Sequence, residues 1–156
     1  MIGEQADAEL THAYQSSPYA ASIHLLTGVD DQTLRTAYAG ASVLLFPSIA
    51  EGFGWPIAES MASGTPVITT AEAPMTEVAG EAAILISRRP LNAGDNASWA
   101  IEGSKALNRV MAMTPVEYAR LVERGLENAK RFQPEVMINE VESIYKRILL
   151  NPSASN

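Results

Sequence analysis

A chain of 156 residues suits one domain, and with 47% hydrophobic and 19% charged residues it is globular in composition. The formal charge of −7 argues against a nucleic-acid partner, which would need clustered Lys and Arg to displace counterions. Cysteine is absent, which excludes disulfides and thiolate metal sites and fits a reducing, cytoplasmic setting.

His12 and His24 stand alone, so no metal site is expected. No apolar run approaches the roughly 20 residues of a membrane-spanning helix. The opening Met1–Asp7 has neither the basic stretch nor the apolar core of a signal peptide.

Short apolar runs alternate with longer amphipathic stretches, a βαβα pattern that predicts a parallel sheet with helices on both faces. Residues 4–17 read as a helix. Ser22–Thr27 reads as a strand closed by Gly28. Asp30 and Asp31 start a helix over 31–40, with Leu34, Ala37, Tyr38 and Ala41 facing inward. Val43–Phe46 is continuously apolar, as in a central parallel strand covered on both faces, and Pro47 ends it.

A glycine-rich loop leads into a short helix from Pro56 to Ser63, stopped by Gly64. Pro66–Thr70 is a strand, Met75–Ala79 a turn or two of helix, and Ala82–Ile86 the last strand. Beyond Pro90 only helical patterns remain, over 97–112, 115–132 and 135–150. Thr114-Pro115 supplies an N-cap followed by proline at the first helical position. The polar tail 151–156 is expected to fray. Only four strands result where a doubly wound sheet usually has more, and the first helix has no strand before it. The chain therefore reads as a domain truncated at its N-terminus.

The chemistry is concentrated in 46–80. A buried strand ends at Pro47 and a loop, Glu51-Gly52-Phe53-Gly54-Trp55, enters a helix that Pro56 starts. Ligands of open α/β sheets sit beyond the carboxyl ends of the strands, where this loop must lie. Two glycines let backbone approach a ligand, and the free amides and dipole of a helix N-terminus suit a phosphate. Glu51 and Glu59 bracket the loop and would repel that phosphate if they faced it. Facing sugar hydroxyls, they would accept charge-assisted hydrogen bonds. A diphosphate with a polyol at each end has that form. The plainer reading of the same residues is a glycine turn, a capping Glu51 and a Glu59 favourable near a helix N-terminus.

The full string, Glu51-Gly52-Phe53-Gly54-Trp55-Pro56-Ile57-Ala58-Glu59-Ser60-Met61-Ala62-Ser63-Gly64-Thr65-Pro66-Val67-Ile68, closely resembles the signature of family-4 (group 1) retaining glycosyltransferases, which have the GT-B fold. The likeness continues through Glu77-Val78-Ala79-Gly80. Upstream it takes in Leu26–Asp31, Leu34, Tyr38 and Ala41–Val43, and downstream Arg131-Phe132 and Ile144-Tyr145.

The resemblance implies a Rossmann-like, nucleotide-sugar-binding C-terminal domain over 1–150, partial, from a two-domain enzyme. That enzyme would move a sugar from a nucleoside diphosphate sugar to a glycan or lipid-linked acceptor with retention. It implies that Glu59 binds the donor ribose, and that Glu51, the catalytic candidate, contacts the transferred sugar and supports its developing positive charge. The backbone of Gly52, Phe53, Gly54 and Trp55 would meet donor sugar and phosphate, and Thr27-Gly28-Val29 would hold the base. No metal or other cofactor is required, and the leaving diphosphate would rest on helix amides and cationic side chains.

Two features depart from the family pattern. Trp55 stands where an aliphatic residue is usual. The Arg and Lys that family members place at the start of this domain have no counterpart, nor has the acceptor-binding N-terminal domain. The expectation is an enzyme part inactive by itself, its parent open to peripheral membrane association. The alternative is a non-catalytic nucleotide-sugar-binding or interaction module. Phe46, Met61 and Trp99 read as packing residues, Arg88-Arg89 and Glu72 as surface charges, and Glu77 as a helix-surface charge. Asn96-Ala97-Ser98 matches a glycosylation acceptor in pattern only.

Overall fold

The computed structural model describes residues 1–150; the polar tail 151–156 lies outside the described residues. The chain divides into two compact units, Met1–Ala37 and the remainder from Tyr38, each described by itself.

In the first unit, Asp7 accepts a hydrogen bond from the Leu10 amide at 2.7 Å and so starts α1 at Ala8, later than the sequence pattern suggests; the helix runs Ala8–Ser16. The strand expected over Ser22–Thr27 does not form. Ala20–Ser22 is a 3-10 turn, and among the described residues the segment pairs only through a parallel bridge between Ile2 and Leu26. Gly3 donates to the Leu26 carbonyl at 3.1 Å and Leu26 to that of Met1 at 2.9 Å. Its neighbour is too short to sustain a ladder. The same bridge gives α1 the extended residue before it that the sequence reading had lacked. Helix α2 spans Asp31–Gly40 as expected, and the division between units falls within it.

The second unit holds a three-stranded parallel sheet in the order β1 (Leu44–Phe46), β2 (Val67–Thr70), β3 (Ile84–Ile86). The register sets Leu45 beside Ile68 and Ile68 beside Ile84. Here a second expectation is corrected. The central strand, fully buried, is β2, whereas β1 lies at the edge of this sheet and leaves Leu45 exposed. An apolar run marks burial but does not tell a strand its neighbours.

Helices cover both faces, as the alternating pattern requires. One face of the sheet packs Leu44, Phe46 and Val67 against Ile57, Ala58 and Met61 of α3 (Trp55–Ala62) and Met75, Val78 and Ala79 of α4 (Met75–Ala79). The other packs Ile68 and Ile86 against Ala106 and Val110 of α5 (Asn96–Met111). Each side chain of Ile57's size buried this way contributes about 2–3 kcal/mol.

Helix α6 (Pro115–Ala129) opens on a reciprocal capping box between Thr114 and Glu117. It lies against α3 where Gly125 lets the two approach; a Cβ there would come within 3.3 Å of Met61 Cγ. Tyr118 donates to the Ser42 carbonyl at 3.0 Å, and Asn128 to that of Val78 at 2.8 Å. After a 3-10 turn at Lys130–Phe132, Pro134 starts α7, which runs to Leu150 and buries no residue. The three C-terminal helices fall where the sequence periodicity puts them. No helix among the described residues is long and apolar enough to cross a membrane.

Candidate functional site

Beyond the carboxyl end of β1 the chain enters the loop singled out from sequence. Its backbone is tied down by two fully buried threonines at the end of β2. Thr69 donates its hydroxyl to the Phe46 carbonyl at 2.8 Å, and Thr70 donates to that of Ser48 at 2.7 Å. The second of these bonds carries the sheet one step past its last regular pair, Phe46 beside Thr69, through a side chain.

Ser48 passes the order on, donating its hydroxyl to Glu51 Oε1 at 2.8 Å. Glu51, the expected catalytic residue, is thus an exposed carboxylate with one oxygen held. Gly54 caps α3 with a positive φ of 98°, a conformation that glycine adopts without strain. Trp55 is the first helical residue and Pro56 the second.

Among the described residues the amides of Gly52, Phe53, Gly54 and Trp55 donate to no protein acceptor. They are four backbone donors with no acceptor of their own, set at the positive end of a helix.

Glu59 lies on α3, exposed, as the fifth residue of the helix. The helix begins at Trp55, one residue before the Pro56 start that the sequence suggests, because Gly54 makes the left-handed turn, and Glu59 therefore lies just past the first turn. Neither Glu51 nor Glu59 forms an ion pair among the described residues.

Beside Glu59 stands Tyr38, nearly buried. Its hydroxyl is pushed up to about 12, chiefly by burial, with the nearby Glu59 carboxylate adding to the shift. The phenol is therefore a neutral donor at any physiological pH. In sequence it stood as an inward position of a helix and as part of the family resemblance, with no role at the site.

The side chains of the loop make an aromatic chain. The ring of Trp55 lies 4.6 Å from that of Phe53, which meets Phe132 edge-on at 5.6 Å; Arg131 sits 5.1 Å over Phe132. Trp55 nonetheless stays 48% exposed. Arg131 also donates to Asn128 Oδ1 at 2.9 Å and to the Glu77 carbonyl at 3.3 Å. The Glu77-Val78-Ala79-Gly80 string and the Arg131-Phe132 pair, distant in sequence, are thereby one fastening between α4 and the end of α6. Gly80 takes part through its shape, since a Cβ there would fall 2.9 Å from Asn128 Oδ1.

Thr27, Gly28 and Val29 belong to the first unit. Gly28 makes a left-handed turn at φ 63°, and Asp30 behind it caps α2 by accepting from the Thr33 amide at 2.7 Å. The packing expectations hold for Met61, which is buried, and for Phe46, which packs half-buried against the same core; Trp99 is half-buried and its indole donates to the Ser87 carbonyl at 2.8 Å. Arg88 forms an exposed ion pair with Glu72 at 3.4 Å. The missed contributors, Ser48, Thr69, Thr70 and Tyr38, all act through hydroxyl groups, which sequence periodicity does not distinguish from filler.

The arrangement matches known proteins. The family model described as "Glycosyl transferases group 1" covers residues 1–107. An MMP alpha-(1->4)-mannosyltransferase of Mycolicibacterium hassiacum is 28% identical over 85% of this chain and 31% of its own length. An O-antigen chain mannosyltransferase B of Escherichia coli is 31% identical over 80% of this chain and 30% of its own. The chain thus spans about a third of the relatives it matches.

Among solved structures, a sucrose-phosphate synthase of Thermosynechococcus elongatus superposes with a TM-score of 0.76 at 22% identity, over 96% of this chain and 38% of that one. The pneumococcal O-GlcNAc transferase GtfA, solved with UDP and GlcNAc, does so with 0.68 at 19%, over 95% of this chain and 29% of that one. These likenesses show a shared Rossmann-like α/β fold. With a family match across more than half of its residues, the chain belongs to the group 1 glycosyl transferases.

Proposed function

We propose that this chain is the donor-binding part of a retaining glycosyltransferase that uses a nucleoside diphosphate sugar. The observation that carries the reading is the set of four unengaged amides at Gly52–Trp55, at the positive end of α3 and bracketed by two unpaired carboxylates. Amides of this kind suit a diphosphate, and carboxylates suit hydroxyls.

In this assignment Glu59, beside Tyr38, accepts hydrogen bonds from the ribose. Glu51, steadied by Ser48, accepts one from the sugar being transferred. The bond from the anomeric carbon to the diphosphate oxygen breaks and its electron pair leaves with the diphosphate, whose charge the amides stabilise without a metal ion. Glu51 offsets positive charge growing on the sugar ring. The acceptor hydroxyl bonds to the same face of that carbon and gives up its proton to the departing phosphate. Thr27–Val29 is assigned to the base through backbone groups.

The mannosyltransferases this chain resembles, one of them named for the O-antigen chain, support a glycan or lipid-linked acceptor, and the absence of cysteine fits a cytoplasmic setting. Turnover is assigned to a longer assembly that includes an acceptor-binding domain; these residues by themselves bind donor and do not transfer it.

The test is an amide NMR titration with UDP, GDP and ADP, repeated on Glu59→Ala. Affinity near millimolar corresponds to about −4 kcal/mol and is within reach of this method. Shifts at Gly52–Trp55 that one nucleotide produces, and that the variant loses, are expected. A folded chain with no shift for any of the three would refute donor binding by this half. Transfer of sugar by the chain alone would refute its inactivity.

A further inference from the structure

Three arginines converge where α5 ends and α6 begins. Arg109, Arg120 and Arg124 line an open cavity of about 720 Å³ at that corner, a volume in the range of small-molecule sites. Arg120 and Arg124 stand one turn apart on one face of α6, and Arg109 comes from the last turn of α5. None of the three forms an ion pair among the described residues, although Asp and Glu outnumber Lys and Arg in the chain by 18 to 11. Arg88, Lys130 and Lys146, by contrast, each hold a carboxylate.

Two carboxylates line the same cavity, and one of them is committed. Glu117 turns back to accept from the Thr114 amide at 2.8 Å and from its hydroxyl at 2.7 Å, which also fills the positive end of α6. Glu123 alone remains against three guanidiniums, over a lining of Met113 and the buried Leu121. Arg124 spends one of its donors on the Glu81 carbonyl, at 3.5 Å. The local balance is positive in a chain whose formal charge is −7.

The corner lies at the other edge of the sheet from the donor loop. Helix α5 starts beside Ser87, just past the carboxyl end of β3, where Glu102 accepts from the Ser87 amide at 2.9 Å. Its 16 residues, about 24 Å of helix, carry the chain towards the amino ends of the strands. There Tyr118 of α6 reaches the Ser42 carbonyl, ahead of β1. An acceptor must approach the donor at the carboxyl edge, so the domain that holds it has no call on this corner.

We propose that Arg109, Arg120 and Arg124 form a second anion site, which takes a phosphate group. The planar guanidinium matches phosphate oxygens two at a time, and two of these groups a turn apart with a third opposite enclose one from both sides. Exposed Met111 and Val116 border the turn, so the phosphate can be one carried by a lipid headgroup as well as one free in solution.

Two experiments on this chain separate those sources. The first follows arginine Nε–H signals by NMR during titration with inorganic phosphate and with pyrophosphate to about 20 mM, which reaches millimolar affinity. The second is sedimentation with phosphatidylcholine vesicles, plain or carrying phosphatidic acid. Shifts at Arg109, Arg120 and Arg124 are expected if the phosphate is soluble, and binding to the acidic vesicles alone if it is lipid-borne. Arg109→Gln and Arg120→Gln should each weaken the response about threefold or more, and together about tenfold or more. Arg89→Gln removes the same charge from the opposite edge and should stay within about twofold of wild type, being beyond the screening length. Phosphate shifts at the amides of Gly52–Trp55 report the donor loop separately and should persist in the corner variants. All of these arginines are exposed, and circular dichroism will report whether each variant keeps its helices. No response in either experiment overturns the proposal. So does a response that the corner variants leave intact, or one that Arg89→Gln weakens as much as they do.

Discussion

Replacing Gly80 by alanine should unfold the second unit more easily by about 3 kcal/mol, through two separable effects. The first is conformational. Gly80 sits at φ 54° and ψ −136°, which an L-residue adopts only at a cost of about 1–3 kcal/mol. The second is steric. The new Cβ would lie 2.9 Å from Asn128 Oδ1, so the amide must move. That amide joins α6 to α4 by donating to the Val78 carbonyl and ties in Arg131 through its oxygen, and weakening such bonds costs about 1 kcal/mol more.

The assay is urea unfolding followed by circular dichroism and Trp fluorescence, with thermal unfolding beside it. At this chain length the expected loss lowers Tm by about 9 °C. Gly103→Ala is the matched control. Gly103 lies inside α5, has no positive φ, and a Cβ there meets nothing within 4 Å. It should stabilise by about 0.5–1 kcal/mol, the helix propensity difference. If Gly80→Ala is as stable as the parent chain, or shifts the midpoint upward with Gly103→Ala, then the glycine of that string is not there for backbone shape and the fastening described above is wrong.

Tyr38→Phe should remove the last step of an alkaline titration followed by phenolate absorbance, because Tyr38 ionises only at about 12. Since its folded value is raised, the linked stability is whole below 10 and is lost as pH climbs towards 12; a late step that persists in the variant would refute the assignment. Thr114→Ala should cost about 1 kcal/mol in urea unfolding by stripping the cap of α6, and a midpoint equal to wild type would mean the cap contributes nothing. Hydrogen bonds from Thr114, first from its side chain and then from its backbone, hold the Glu117 carboxyl below the usual glutamate range. The linked stability is present above the unfolded value and is lost as pH falls through the depressed one. Glu117→Gln should therefore flatten the acid limb of a stability profile, and an unchanged limb would contradict it.

The fold class was legible because layer architecture follows from period, and period is carried by many residues at once. Helices α2, α5, α6 and α7 have clear stripes, α2 and α6 have clear caps in Asp30 and in Thr114 with Glu117, and all four fall where their patterns put them. The Ser22–Thr27 segment shows what pattern misses. Its residues favour a strand, yet a strand exists only with a neighbour, and among the described residues only Ile2 pairs with it, at Leu26. Likewise Val43–Phe46 is as apolar as an inner strand, while its place at the edge of the sheet is a property of topology.

Of the candidate site, the glycine loop and both glutamates were readable because backbone freedom and carboxylates leave marks in sequence. The roles of Ser48, Thr69 and Thr70 were not. A buried hydroxyl bonded to a carbonyl across the sheet looks, in one dimension, like any threonine of a β-strand.

The edge position of β1 bears on how the molecule behaves in a tube. Its outer row of amides and carbonyls pairs with no other strand among the described residues, and Leu45 beside it is exposed. An apolar strand border, even one of three residues, is a template on which a second molecule, or a partly unfolded one, can add its own strand. Heating and refolding should therefore be limited by precipitation before they are limited by chain entropy. A lysine at position 45 would blunt that border with a charge, and it should raise recovery of refolded protein while leaving the loop after Pro47 as it is.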